Sequence, residues 1–474
     1  MLRAGRGDVI KAGSFAVLCV LAAILMAAQP FEDLSGLGHC VMGFTIIMVS
    51  GWVFRPWGIP CAVSGLFFLG AMLVLGMSPA IVLSGFSQNA LWTLIPALFF
   101  GFALQKTGLG QRIAVCLLKI FPSNWGALIC AWVVIGLVLS LATPSMTVRA
   151  AIMIPVAVQC CELYSLPKSS KGAALLQITA MMMAIVPGNG WLTGTLTGPI
   201  MQGIFDATKG LEGVITFDGW IKASLLPILV TTIVLAVLSF FFLRPEMKLP
   251  PKTFLDSVGQ KQKQKLSKHE LESAVILGVC CVLFFTGNVH HIPNTAICLF
   301  AVVLLFVFGV VELEEFSTAV SWDLIVFIGV GLCTSGIFAE SGLSEWLSDT
   351  IAPAFTELAQ HHVIFIFMIL ILLFLWRFVD VTTLIPTTVI LAPIVQRIAV
   401  QRGISPMVWT TLFSMAICSA FLSYTNMWAA MGKRLVGDYA WNEGQVFRYG
   451  LAYFAACCIG LACAVPMWMI QGLI

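Results

Sequence analysis

Long apolar segments alternate with short polar ones along almost the whole chain. Each apolar segment approaches the roughly 20 residues that an α-helix needs to cross a bilayer. They occupy residues 14–28, 37–54, 59–76, 90–105, 126–142, 173–187, 221–243, 272–288, 294–311, 323–338, 363–378, 407–422 and 446–470. Several are too short to cross alone, as expected where a helix is broken or re-enters the membrane beside a polar cavity. The pattern predicts an all-α integral membrane protein with about 11 transmembrane helices plus two re-entrant hairpins.

One long polar stretch divides the chain into two halves. It is rich in lysine and runs from residue 244 to residue 270. Residues 1–35 then form an N-terminal tail and first helix, residues 36–243 the first half and residues 271–474 the second half. Basic residues precede the first apolar run without a small-residue cleavage pattern, so we interpret that run as a spanning helix and not as a removed signal.

Short motifs of the first half recur in the second. Ser-Gly-Phe-Ser at 84–87 followed by Trp92 is echoed by Glu-Phe-Ser at 315–317 followed by Trp322, with the same spacing from Phe to Trp. Further along, Lys-Thr-Gly-Leu at 106–109 is echoed by Glu-Ser-Gly-Leu at 340–343. Internal repeats are common in transporters, so we interpret the two halves as repeats of one unit.

Charge predicts that the two repeats have opposite orientations in the membrane. Lysine and arginine in short loops stay in the cytoplasm. The loops after the matching motifs carry Lys106, Arg112 and Lys119 in the first half, and Glu340, Glu345, Asp349 and Glu357 in the second. We therefore expect a cytoplasmic N-terminus, a cytoplasmic lysine-rich linker and a C-terminus outside. Arg397 and Arg402 then fall outside, where we can account for them only by snorkelling at the interface.

Four hydroxyl- or amide-rich segments interrupt otherwise apolar helices. They are residues 143–149, 188–199, 382–388 and 423–426. The first and third combine proline with threonine, which predicts two half-helices that meet at a polar tip. Unwound backbone at membrane depth is tolerated only where protein or trapped water satisfies it, so the breaks predict one shared polar cavity near the midplane. Simple kinks are the alternative, and they suit one break better than four at equivalent positions.

These breaks offer two kinds of ligand. Half-helix N-termini suit an anion, whereas hydroxyls and unwound carbonyls suit a small cation such as sodium. The predicted substrate ligands are Ser145, Met146, Thr147, Arg149, Thr195, Thr197, Pro199, Thr382, Thr383, Thr425 and Asn426. The predicted cation ligands are Thr143, Ser145, Gly188, Asn189, Asp380, Thr387 and Ser423. We predict no catalytic or metal-binding residue, and sodium coupling ions are the only candidate cofactor.

Composition narrows the class of protein. The chain is 59% hydrophobic and 10% charged, against roughly 25% charged residues in soluble domains, so lipid must surround most of it. A net charge of +3 without a basic stripe gives no sign of nucleic acid as a partner, so we expect none. The 15 cysteines have no metal-binding spacing, and we interpret them as small packing residues.

These motifs resemble the divalent anion/sodium symporter family of the ion transporter superfamily. The resemblance covers nearly the whole chain. It rests on Leu-Ser-Gly-Phe at 83–86 with Leu-Trp at 91–92, Thr-Gly-Leu-Gly at 107–110, Ser-x-Thr-x-x-Ala-Ala-x-Met-x-Pro from Ser145 to Pro155, and the glycine-rich break at 188–199. It implies two inverted repeats after an extra first helix, an inward and an outward hairpin, a homodimer and an elevator mechanism. The implied function is secondary transport of small anions, such as di- and tricarboxylates, across the inner membrane by sodium coupling or anion exchange.

The hairpin tips depart from the Ser-Asn-Thr pattern of that family. The first tip reads Ser-Met-Thr at 145–147, with Arg149 where a small hydroxyl residue is usual, and Asp380 precedes the threonines of the second. The fixed charge of Arg149 could replace a sodium ion beside the substrate. Alternatively, Arg149 pairs with Asp380 or snorkels to the rim, and Asp380 could instead carry a proton. We interpret Arg377 as an interfacial anchor beside Trp376.

Other functions stay open at this point. A cation/proton antiporter or an arsenite-type extruder of the same superfamily would share the fold. An intramembrane enzyme would need facing carboxylates, for which Asp323 and Asp380 are the candidates, but no recognisable catalytic motif surrounds them. The histidine pairs at 290–291 and 361–362 fit solvated interfacial positions better than metal sites.

Overall fold

The structure, a computed structural model, describes residues 6–245, 266–378 and 385–474. The regular secondary structure of these residues is helical. The main helices are α1 Arg6–Ala28, α2 Gly36–Phe54, α3 Cys61–Val74, α4 Asn89–Thr107, α5 Leu109–Ile120, α6 Trp125–Ala142, α7 Met146–Leu163, α8 Lys171–Ile185, α9 Thr197–Asp206, α10 Phe217–Phe242, α11 Lys268–Phe285, α12 Asn294–Val307, α13 Trp322–Glu340, α14 Leu343–Leu358, α15 His362–Trp376, α16 Ile385–Arg402, α17 Pro406–Ile417, α18 Met427–Leu435 and α19 Glu443–Ile470. Short helical turns lie at Pro79–Val82, Ser84–Ser87, Pro187–Gly190, Leu192–Gly194, Leu313–Ser317 and Ser423–Thr425.

The helices have the length and composition of a multi-pass membrane protein. Within the described ranges, nine helices are long and apolar enough to cross a bilayer, and α3, α12, α15 and α17 are shorter apolar helices. The predicted all-α membrane fold is therefore confirmed. Every residue of α8 after Lys171 is buried, so other helices surround it on all sides.

The same order of elements occurs in both halves. Helices α4 and α13 have 19 residues each, and each leads through a left-handed glycine into an amphipathic helix, α5 or α14. These glycines are Gly108 (φ 74°) and Gly342 (φ 75°), and a side chain would be strained at either. The paired helices α6/α7 and α15/α16 follow, and then α8 and α17 lead into unwound segments. That the halves are inverted in the membrane stays a prediction.

The two halves also pack on each other reciprocally. The turn before α4 lies against α13, where Gly85 N donates to Cys333 Sγ at 3.3 Å. The turn before α13 lies against α4, where Lys106 Nζ is 2.6 Å from Glu315 Oε2. Each turn thus packs against the long helix of the opposite half.

The amphipathic helices α5 and α14, which we call the arm helices, pack beside the helix pairs that follow them. Helix α5 lies on α6 and α7 so closely that a methyl group on Gly110 would lie 2.5 Å from Ile152 Cδ1. Helix α14 lies on α16, where Arg397 forms an ion pair with Asp349. The arm helix of each half therefore packs against the helix pair of the same half, α6/α7 or α15/α16.

Candidate functional site

The first hairpin tip joins α6 to α7 where the sequence predicts a break. Helix α6 ends at Ala142, and Thr143 is extended (φ −152°, ψ 133°). Ser145 caps α7 by accepting a hydrogen bond from Val148 N at 3.3 Å, and Thr143 Oγ1 accepts one from Ser145 N at 3.2 Å. The two hydroxyls thus hold the turn and begin the second half-helix.

Arg149 lies one turn inside α7 and is fully buried. Its Nε donates to Ala184 O at 2.6 Å, and its Nη1 donates to Gly194 O at 2.7 Å and to Thr143 O. Among the described residues, its Nη2 has no hydrogen-bond partner. The guanidinium therefore joins the hairpin tip to the end of α8 and to the unwound segment after it. This burial excludes the interpretation that Arg149 snorkels to the rim, and its predicted partner Asp380 lies outside the described residues.

The guanidinium fits only because Gly188 has no side chain. A methyl group there would lie 2.4 Å from Gly194 O and 2.9 Å from Arg149 Nη2. Sodium ions in proteins are also bound by main-chain carbonyls. The guanidinium of Arg149 therefore binds the kind of oxygen atoms that the sequence predicted as ligands of a cation.

The first unwound segment, residues 186–196, is held by its own polar groups. Asn189 Nδ2 donates to Ile185 O at 2.9 Å, and Asn189 Oδ1 accepts from Thr195 Oγ1 at 3.1 Å. Trp220 Nε1 of α10 donates to Asn189 O at 2.9 Å. All six of these contacting atoms belong to buried residues, so unwound backbone at this depth is satisfied by protein. Asn189 and Thr195 therefore support the segment.

The second unwound segment, residues 418–426, uses a second buried arginine. Arg377 follows α15, is 1% exposed, and donates from Nη2 to Thr425 O at 2.8 Å. The interpretation of Arg377 as an interfacial anchor is therefore wrong, because its side chain points into the protein. Asn426 caps α18 by accepting from Trp428 N and Ala429 N at 3.0 and 3.1 Å, and it donates to Ser419 O at 3.0 Å.

The two unwound segments touch each other in the core. Cys418 Sγ lies 3.3 Å from Asn189 Nδ2 and 3.6 Å from Ile185 O. The breaks that the sequence placed far apart in the chain thus form one buried junction.

A small cavity of about 60 Å³ lies beside this junction. The first residues of three helices line it, namely Met146 of α7, Thr197 of α9 and Met427 of α18. Its other lining residues are Thr147, Leu196, Ile200, Met201, Leu324, Ile328, Thr388, Ile417 and Trp428. The positive ends of three helix dipoles therefore converge on this space, which suits an anionic group.

A larger cavity of about 550 Å³ adjoins the small one and shares Thr147, Leu196, Leu324 and Met427 with it. It is also lined by Ser145, Tyr424, Arg55 and Asp323. Arg55 and Asp323 have opposite charges, and Asp323 Oδ1 accepts from Ala62 N at 2.7 Å. This cavity has the features of a vestibule that leads from the protein surface to the hairpin tip.

The structure divides the predicted ligands into groups. Those that line a cavity are Ser145, Met146, Thr147 and Thr197. Those that lie in the junction behind the tip are Thr143, Arg149, Gly188, Asn189 and Thr195. Those that serve the second break are Ser423, Thr425 and Asn426, with Ser423 held by Trp441 and Glu443. Pro199 lines a separate pocket, and Thr387 accepts from Trp376 Nε1 at 2.8 Å. Asp380, Thr382 and Thr383 lie outside the described residues.

Sequence reasoning missed several residues of the site. Thr388, Met427 and Trp428 line the small cavity, and Trp428 Nε1 donates to Thr147 Oγ1 at 3.1 Å. All three lie within or next to a predicted break, so extending each break by one turn would have found them. Arg377 gave no such signal, because an arginine beside a tryptophan is typical of a membrane interface.

Comparison with known proteins places the chain among transporters. It is 25% identical to dicarboxylate transporter 1, chloroplastic, of Arabidopsis thaliana over 66% of this chain and 57% of that protein. It is 24% identical to the putative malate transporter YflS of Bacillus subtilis over 65% of each chain. It is 22% identical to the sodium-dependent dicarboxylate transporter SdcS of Staphylococcus saprophyticus over 84% of this chain and 80% of that protein. The matched region thus spans less than two thirds of the plant and Bacillus proteins.

Two solved membrane transporters share the fold. The YdaH transporter of Alcanivorax borkumensis superposes with a TM-score of 0.58, 16% identity and coverage of 99% of both chains. MtrF of Neisseria gonorrhoeae superposes with a TM-score of 0.56 and 14% identity, over 97% of this chain and 94% of that chain. At these identities the likeness concerns the fold alone.

The family of the sodium:sulfate symporter transmembrane region matches residues 11–472, which is nearly the whole chain. The predicted resemblance is confirmed, and at the level of the family so is the prediction of a transporter instead of an enzyme. This multi-pass membrane protein belongs to the sodium:sulfate symporter family.

Proposed function

We propose that this protein is a secondary transporter that exchanges small anions across the inner membrane. The observation that carries the proposal is the convergence of three helix N-termini on one cavity at the hairpin tip that the fully buried Arg149 holds. Helix dipoles and a fixed cation together favour an anion at membrane depth. The plant and Staphylococcus relatives are named as dicarboxylate transporters and the Bacillus relative as a putative malate transporter, which also supports an anionic substrate.

The contacts of Arg149 favour exchange over sodium coupling at the first hairpin. The guanidinium already donates to carbonyls of the tip, of α8 and of the unwound segment. A sodium ion would need such oxygens, and a second cation beside Arg149 would be repelled. An empty carrier would also move an unbalanced buried charge through the bilayer, whereas an anion-loaded carrier would not. The loaded form therefore crosses more readily, which is the requirement for obligatory exchange.

Sodium symport is the alternative, because one relative is named as sodium-dependent. In that case the sodium ligands would lie at the second hairpin, whose predicted residues Asp380, Thr382 and Thr383 fall outside the described residues. The antiporter and extruder hypotheses have less support, since they do not need helix N-termini around the cavity.

The arrangement of the helices supports an elevator movement. Each hairpin packs on its arm helix, and the reciprocal contacts of α4 and α13 form a frame between the halves. We propose that the hairpins and the unwound segments move together past this frame. In keeping with the sequence prediction, we also propose inverted repeats, a homodimer, a cytoplasmic N-terminus and an external C-terminus.

Counterflow into proteoliposomes tests the proposed function. Liposomes with purified protein are loaded with an unlabelled anion, and uptake of the labelled anion is measured in sodium buffer and in choline buffer. We expect uptake that depends on internal anion and is equal in the two buffers. Uptake that requires sodium would overturn exchange in favour of symport, and a lack of uptake for every anion in a panel of carboxylates and sulfonates would overturn anion transport itself.

A further inference from the structure

The walls of the small cavity are apolar, which bears on the kind of anion it accepts. Its lining includes three methionines, one tryptophan and five leucines or isoleucines, against three threonines. No charged side chain of the described residues lines it. A dicarboxylate needs a polar partner at each end, because an unpaired carboxylate against an apolar wall keeps its full desolvation cost.

Met146 is the apolar residue on which the inference depends most. It stands at the first residue of α7, is 2% exposed, and lines the cavity. A thioether accepts hydrogen bonds only weakly and donates none, so it cannot hold a carboxylate as an amide does. Methionine is also flexible and adapts to irregular apolar surfaces.

The polar groups that remain are sufficient for one anionic head. The helices α7, α9 and α18 each present an N-terminus, and α9 begins without a side-chain cap, which leaves its first N–H groups without a side-chain partner. Thr147, Thr197 and Thr388 add hydroxyls, of which Thr147 already accepts a bond from Trp428. The methionines, Trp428, the leucines and the isoleucines form the rest of the wall.

The part of the adjoining vestibule that the structure describes offers a second carboxylate one basic side chain, Arg55. Asp323 lines the same cavity and would repel that carboxylate. The vestibule is also open and exposed at Arg55, where a salt bridge to a substrate would contribute about 0–1 kcal/mol at most.

We infer that the transported anion carries a single charged group, a carboxylate or a sulfonate, on a compact hydrocarbon body. This inference rests on the proposed function and narrows its substrate class. The anionic head lies at the N-termini of α7, α9 and α18, and the body packs against Met146, Met201 and Trp428. The cavity of about 60 Å³ is small, so the methionines must move aside to admit the body.

A matched series of anions tests the inference in counterflow with the full-length protein. Alkanesulfonates are suitable because they stay ionised and do not leak through the bilayer as neutral acids. We expect inhibition of uptake to strengthen about fourfold per added methylene from ethanesulfonate to butanesulfonate, as burial of hydrocarbon requires. Butanoate should compete better than succinate, which has the same carbon skeleton and a second charge, and liposomes without protein give the background.

Variants at Met146 test how much the apolar wall contributes to the choice of anion. Met146→Leu keeps an apolar wall of similar volume and should preserve the wild-type order of affinities. Met146→Asn places an amide at the N-terminus of α7 and should weaken the binding of butanesulfonate at least tenfold while strengthening that of succinate. A size-exclusion profile and melting temperature within the wild-type range confirm that either variant is folded. If Met146→Asn does not fold, the anion series on the wild-type protein decides whether the inference holds.

Three results have distinct meanings. Preference of the wild type for succinate over butanoate, or an affinity that does not change with chain length, would overturn the inference and leave anion exchange intact. Transport of no anion in either series would overturn both the inference and the proposed function. A rise in affinity with chain length that Met146→Asn removes would support both.

Discussion

Two buried arginines carry the same structural task in different halves of the chain. Arg149 donates to Thr143, Ala184 and Gly194 carbonyls, and Arg377 donates to the Thr425 carbonyl. Unwound backbone inside a membrane leaves carbonyls without helical partners, and each such group costs several kcal/mol in lipid. The guanidinium has five donors on a long stem, so one side chain satisfies several carbonyls at once. The arginines therefore offset much of the energetic cost of the breaks at this depth.

Replacement of Arg149 provides a direct measure of that task. Each hydrogen bond from a charged group contributes about 1.5–3 kcal/mol, so we expect Arg149→Gln to lower the melting temperature strongly and to abolish counterflow. The carbonyls released in this variant should then bind sodium, and its melting temperature should rise in sodium relative to choline. Arg149→Lys keeps the charge with fewer donors and should lie between the wild type and Arg149→Gln.

Arg397→Gln is the matched control for Arg149→Gln. It removes an arginine from an ion pair with Asp349 whose side chains are 31% and 73% exposed, and such pairs contribute about 0–1 kcal/mol. A wild-type melting temperature for Arg149→Gln, or the same sodium response in both variants, would contradict the role given to Arg149.

At the scale of elements, the half-helices begin where short polar side chains cap them. Ser145 caps α7, and Asn426 caps α18 while also bonding back to Ser419 O. An amide that both accepts and donates fixes the unwound segment and the helix after it as one unit. Helix α18 has only nine residues, too few to be stable by itself, so its position at the cavity depends on this cap and on packing.

We expect Asn426→Ala to lower the free energy of unfolding by about 1–2 kcal/mol and to reduce transport severalfold or more. The loss of transport follows because the N-terminus of α18 would no longer be held at the cavity. Asn124→Ala removes an equivalent cap from α6, remote from the cavity, with Asn124 Oδ1 accepting from Ala127 N at 2.8 Å. Differential scanning fluorimetry and counterflow on both variants check this, and equal loss of transport in the two would contradict a local role for Asn426.

At the scale of the whole molecule, the two halves repeat one order of helices and pack on each other through reciprocal contacts. Lys106 reaches Glu312 and Glu315 of the opposite half, and Arg112 forms a bidentate pair with Glu270 at 2.8 and 3.1 Å. These contacts bring the end of α4, the start of α5, the start of α11 and the turn before α13 to one end of the molecule. If the repeats are inverted, this end is the cytoplasmic one, since it contains basic loop residues and Glu270, where the lysine-rich linker ends.

The accessibility of single cysteines tests the orientation. We expect Gln111→Cys on α5 to react with a membrane-impermeant maleimide only in permeabilised cells, and Glu357→Cys on α14 to react in intact cells. Both positions are exposed, and the background should lack the exposed native residues Cys116, Cys130 and Cys463. Labelling of both positions from the same face would contradict inversion of the repeats.

The sequence alone determined the fold class, the family and the positions of three breaks, at 143–149, 188–199 and 423–426. The break predicted at 382–388 lies partly outside the described residues, and its last four residues belong to α16. Apolar runs of membrane length and prolines beside hydroxyls are local signals. A helix in lipid must satisfy its own backbone hydrogen bonds, and a break in it requires polar residues nearby. Thr143 and Ser145 at the first tip and the glycine-rich segment after α8 were visible in this way. The orientation of the halves was inferred from charge and stays a prediction.

Only the tertiary structure decided which polar residues face a cavity and which support the backbone. Asn189, Thr195 and Asn426 have the same local signature as Thr147 and Thr197, yet their hydrogen bonds go to the chain itself. The sequence likewise could not distinguish Arg377 at an interface from Arg377 inside the core. The reason is that unwound carbonyls acquire their partners from segments far away in the chain, as Thr425 does from Arg377 and Gly194 from Arg149. Which donor reaches which carbonyl depends on packing between the helices, and no local pattern records it.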